Sequence, residues 1–257
     1  MSAQPATLNP PARTVDEVIG QLNEIIARSR ERASRLGYFA TLYRNVTVEV
    51  KRGIAQGRFE NGPRMERLDV TFANRYLTAL ACYERGEQAS RCWVAAFKAA
   101  TRWPPIVLQH LLLGMNAHIN LDLGAAAAIV CPGDQLPSLK HDFDEINNIL
   151  EAMIGGVQLQ MSKISHWMKV LDLVGARTQK VIINWSIDRA RDAAWRAAER
   201  LAPLNPEQME DELKRLDDEV DLLASLIRYP GTLISAANFI VRLSEPRSVS
   251  KILNILA

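Results

Sequence analysis

Between residues 14 and 256 apolar side chains recur every three to four positions, and no stretch sustains the apolar–polar alternation of a strand with one wet face. Such a chain buries its apolar stripes by packing helix on helix, so the sequence predicts an all-α protein. Glycine and proline punctuate it. Thr14 with Glu17 forms a capping box that opens a first helix running to about residue 34, with Gly37 as its stop. Further helices are expected over about 38–56, 64–83, 87–102, 105–128, 139–173, 177–201, 206–227, 232–243 and 247–256. Asn205 and Pro206 supply a cap and a first position, Ser138 caps the 139–173 segment, and Gly155-Gly156 is a place for a bend.

The connections are short, and 257 residues suffice for one packed core. The expected organisation is a disordered lead-in over 1–13 and a single compact domain of about 8–10 helices over 14–257. Cys82, Cys92 and Cys131 are odd in number and lack CxxC spacing, which fits reduced thiols and a cytoplasmic protein. A net charge of +2 with interspersed signs argues against a nucleic-acid partner. No uninterrupted apolar run reaches membrane-spanning length, and the N-terminus lacks a signal-peptide core.

The 105–128 segment threads polar groups through one of the most apolar runs of the chain. As a helix it sets His110, Gly114, His118 and Asp122 four residues apart on one stripe, with Gly114 leaving room for an ion or a partner helix. His118 and Asp122 form an HxxxD pair, which serves either as two metal ligands or as a histidine hydrogen-bonded to an aspartate one turn away. Glu66 and Asp69 share the apolar side of their helix with Val70, Ala73 and Tyr76. A carboxylate there is either a ligand or one half of a buried ion pair, with Arg75 or Arg44 as the partner of Asp69. His141 and Glu145 make an HxxxE pair, whose alternative is a solvated acidic first turn. His166 is too far along the same helix to share a site with His141. No ExxH repeat, P-loop, GxGxxG or nucleophile elbow occurs.

HxxxD followed by HxxxE on successive long helices resembles the zinc-dependent phospholipase C and S1/P1 nuclease fold. The resemblance implies metal-activated water and His118, Asp122, His141 and Glu145 as ligands, with Asp69 standing for an aspartate of an earlier helix. The further histidines of that family would fall on Gly124 and Ala128, so the ligand set is incomplete and one or two ions are implied. The segments Glu66–Tyr76 and His110–Leu123 together resemble a family of bacterial all-helical proteins with no assigned reaction, over most of the chain.

The expected function is a metal-dependent, hydrolase-like enzyme in which Asp69, His118 and Asp122, with His141 and Glu145, hold zinc, iron or manganese. His110 and Glu66 are the catalytic candidates, and the substrate is a small, partly apolar molecule. The alternative is a non-catalytic helical module that binds an apolar ligand or a protein partner, with the His/Asp cluster as a buried polar network. A non-haem iron oxygenase is the third reading.

Overall fold

A computed structural model describes residues 10–165 and 187–257. Every regular element among them is helical. Helix α1 (Val15–Glu31) starts where the capping box predicts: Thr14 accepts from Glu17 N at 3.2 Å, and the Glu17 carboxylate accepts from Arg13 N at 2.7 Å. Of residues 10–13 in the expected lead-in, Ala12 is packed into the body while Pro10, Pro11 and Arg13 stay exposed. The Asn74 side chain both accepts from Ala12 N and donates to Ala12 O at 2.8 Å, and Ala12 is buried. Residues 1–9 and His166 lie outside the described residues.

Helices α2 (Gly37–Ala55) and α3 (Gly62–Arg85) follow. Gly37 opens α2 rather than closing α1, which ends at Glu31, and close packing keeps it a glycine: a Cβ there would stand 2.6 Å from Ser29 Cβ. Helix α4 (Arg91–Ala100) starts later than its sequence suggests, since its first amides are held by a distant carboxylate. Asp217 accepts from Arg91 N at 2.6 Å and from Cys92 N at 3.0 Å. The cysteines are free, and Cys92 and Cys131 are buried.

Helix α5 is the axis of the molecule. It runs as Val107–Ala117, widens into a π-helical segment, His118–Leu123, and resumes as Gly124–Val130. Helices α2, α3 and α4 pack on it, as do α7 (Ile187–Leu201) and α8 (Pro206–Arg228). A helix surrounded on all sides must be apolar all round, which is why this run carries so few polar residues. Asn205 caps α8 through a box with Gln208. After a 3₁₀ turn (Gly133–Leu139), helix α6 (Lys140–Ile164) continues through Gly155-Gly156. Ser138 does not cap it; its hydroxyl donates to Gln135 O and accepts from Arg64. Helices α9 (Thr232–Ser244) and α10 (Val249–Leu256) close the chain. No described helix is long and apolar enough to cross a membrane.

Two glycines of α5 are approach points for neighbouring helices. A Cβ on Gly114 would sit 2.4 Å from the Phe39 ring of α2. One on Gly124 would sit 2.6 Å from the backbone oxygen of Ala194 in α7. Gly124→Ala is therefore expected to destabilise by about 1–3 kcal/mol, because a backbone oxygen cannot step aside as a side chain can. Gly155→Ala, in open space on α6, is expected to stabilise by about 0.5–1 kcal/mol. Parallel urea titrations check both, and equal midpoints would refute the close-approach account.

Candidate functional site

The HxxxD pair forms, in a hydrogen-bonded rather than a vacant arrangement. His118 Nδ1 lies 3.3 Å from Asp122 Oδ2, which also accepts from Trp93 Nε1 of α4 at 2.8 Å. Asp122 Oδ1 accepts from Arg75 Nε of α3 at 2.9 Å. All four groups meet where α3, α4 and α5 converge, and Asp122 and His118 are buried. Of the two arginines offered as partners for Asp69, Arg75 goes to Asp122 instead and Arg44 donates to Asn45. With both Asp122 oxygens accepting, Nδ1 of His118 carries the proton and Nε2 presents a lone pair. Burial holds the imidazole below its usual pKa, outweighing the Asp122 hydrogen bond that works the other way.

That lone pair has no protein partner, and His118 lines a cavity of about 520 Å³. The wall is apolar: Leu42, Val46, Leu68, Met115, Leu150 and Met153 contribute, from α2, α3, α5 and α6. Asp69 stands in the same wall, and its Oδ2 also lacks a partner. Burial, then the neighbouring Glu66 carboxylate, push Asp69 up to about 7. Tyr43 Oη, beside the Thr47 side chain, meets no well-formed hydrogen bond, and burial raises its pKa. These three side chains line the same cavity, with Tyr43 against His118 and close enough to Asp69 for its charge to act on the phenol. Phe72, a turn beyond Asp69, stacks on the His118 ring with centroids 3.5 Å apart, and Tyr43 stands edge-on to His118 at 4.3 Å. Arg191 of α7 occupies another part of the wall. It is engaged with the Phe143 carbonyl oxygen and Asn147, lies over the Phe143 ring, and burial lowers its pKa to about 10.

The remaining sequence candidates are placed elsewhere. His110 sits edge-on to Tyr38 and borders a separate pocket of about 20 Å³. Burial, then Arg35 and Arg242, depress it to about 3, so it is a neutral imidazole at any ordinary pH. Glu66 faces Val15 N at 3.4 Å, at the start of α1. Glu145 accepts from Arg58 and from Asn148, which lower its pKa. His141 lies beside Glu60 and Asp142 instead of pairing with Glu145. Among the described residues, Glu60, His141 and Asp142 are the only group of three with ligand atoms all within 4.8 Å of one another. The expected trio of Asp69, His118 and Asp122 therefore does not converge on one point. Glu60 and His141 are exposed, and Asp142 is already taken by Glu60 N, Asn61 N and Arg64, an arrangement that anchors the start of α3.

Sequence reasoning missed Tyr43, Phe72, Trp93 and Arg191. Phe72 lies three residues from Asp69 on one helix and was legible as a neighbour. Tyr43 falls on the apolar stripe of its helix with Phe39 and Val46, and nothing in the spacing singles it out. Trp93 and Arg191 reach their partners from distant helices and carry no spacing signal.

Comparison with known proteins places residues 15–230 under a family model described as a family of unknown function, DUF5995. No curated protein and no solved structure matches. The resemblance to zinc-dependent phospholipase C therefore has no structural neighbour behind it. The positions where that family would need histidines are filled by packing: Gly124 against Ala194, and Ala128 fully buried among apolar side chains.

Proposed function

Since the chain belongs to the family of unknown function DUF5995, which assigns it no reaction, we propose from the site alone that it binds an apolar small molecule in the cavity between α2, α3, α5 and α6. The observation that carries this is an apolar space of about 520 Å³ with a few converging polar groups. Native packing leaves few voids larger than a water, whereas ligand pockets run from about 300 to 1,000 Å³. The His118–Asp122–Arg75–Trp93 network then serves as a rigid wall that fixes the imidazole.

One observation favours the metal-dependent reading: His118 Nε2 and Asp69 Oδ2 are two unpartnered donors lining the same cavity. Against it, Asp122 already accepts from Arg75 and Trp93, and Asp69, His118 and Asp122 do not bring their ligand atoms within 4.8 Å of one another.

The test is a titration with N-phenyl-1-naphthylamine, a neutral probe that brightens in apolar surroundings. Saturable binding at one probe per chain is expected, and Val46→Trp, which fills part of the cavity, should weaken it about tenfold with the melting temperature retained. Binding that ignores Val46→Trp would sink the cavity reading. Metal analysis of untagged protein discriminates the alternative. One equivalent of zinc, iron or manganese, lost in His118→Ala, would restore the hydrolase reading.

A further inference from the structure

The corner made by Asp69, His118 and Tyr43 selects the head group of the bound molecule; this rests on the cavity being a ligand site. Three features define it. His118 Nε2 is an acceptor without a donor, because its tautomer is fixed by Asp122 at the other nitrogen. Asp69 is buried at 7 % exposure with no partner at Oδ2, and burial and the neighbouring Glu66 both oppose its ionisation. Aromatic rings flank the imidazole: Tyr43 and Phe72 stand at 5.9 Å and 74°, and both touch His118.

We propose that the cavity takes an apolar chain or ring ending in a primary ammonium group, with the ammonium held by Asp69, His118 Nε2 and Tyr43 Oη. Donor counting decides among the common heads. An ammonium brings three N–H donors, enough for the carboxylate, the imidazole lone pair and the phenol oxygen together. A hydroxyl brings one donor and leaves two of these three acceptors without one. A carboxylate brings none and sets two anions side by side. Its natural partner on the wall is Arg191, which already holds the Phe143 carbonyl oxygen and Asn147. A positive head also supplies the counter-charge that a buried carboxylate requires.

The experiment displaces bound N-phenyl-1-naphthylamine at pH 8 with three competitors sharing one twelve-carbon chain: dodecylammonium, dodecanol and dodecanoate. Dodecylammonium is expected to compete at least about tenfold better than either of the others. Asp69→Asn should erase that preference while the neutral probe still binds, and Glu66→Gln should keep it. Equal competition by the three chains, or a preference that survives Asp69→Asn, overturns the head-group assignment and leaves the cavity reading standing. A preference for dodecanoate moves the polar contact to Arg191 and overturns it equally. Failure of the neutral probe to bind at all brings down the cavity reading itself.

Discussion

Asp69→Asn is expected to make the protein more stable at pH 8, by up to about 4 kcal/mol, and to leave it nearly unchanged at pH 4. The native carboxyl titrates at about 7, against 3.8 for a solvated aspartate. Between those values the native state keeps a proton that the unfolded chain has released. Stability therefore falls as pH rises through the window from about 4 to 7, and the loss is complete above it. Three pKa units at about 1.4 kcal/mol each set the scale. Asparagine is uncharged throughout, so the variant should lose this share of the pH dependence. Glu245, which burial also pushes up to about 7, keeps its share in both proteins, and the difference isolates Asp69. Guanidinium titrations at pH 4, 6 and 8 measure it. Parallel stability-versus-pH curves for the two proteins would show that Asp69 is not buried as an unpartnered acid. A native group that costs this much is expected to serve a purpose other than folding.

Asp122→Ala should act in the opposite direction, at a cost of about 3–5 kcal/mol. Removing the carboxylate strands the Trp93 indole N–H and His118 Nδ1–H in the core, together with one side of the Arg75 guanidinium. Arg75 is 26 % exposed and can turn to water, which favours the lower end of that range. Arg75→Ala should cost less by itself, and the double variant less than the sum, because the two changes remove one interaction. Chemical denaturation of the four proteins gives the coupling energy. A loss below about 1 kcal/mol for Asp122→Ala would mean that the network is not the structural wall described here.

The helices were legible because period and punctuation are local properties of a chain. Thr14 and Asn205 cap their helices as their spacing foretells, and Pro206 occupies a first turn. Boundaries slipped where a distant side chain decides them: Asp217 sets the start of α4 from α8, and Asp142 anchors α3 from α6. The candidate site divides the same way. The His118–Asp122 pair was visible as a spacing of four, and Asp69 as a carboxylate on an apolar face. Which arginine goes to which aspartate, and that Trp93 completes the set, are facts of tertiary packing. His141 and Glu145 share a helix spacing with a ligand pair, yet Arg58 takes the glutamate and Glu60 with Asp142 faces the histidine.

The π-helical stretch in α5 ties the two halves of that helix to different duties. A π turn holds about one residue more than an α turn, and one residue is worth about 100° of rotation. Ahead of His118–Leu123, α5 receives Phe39 at Gly114; behind it, Gly124 and the alanine run meet α7. Deleting a single residue from the stretch would let it close to α pitch with both flanks kept in register, whereas inserting one would rotate one half against the other by roughly that angle. Either the polar corner or the α7 seat would then be lost. The segment therefore tolerates losing a residue better than gaining one, and a single-residue insertion in it should be harsher than most substitutions.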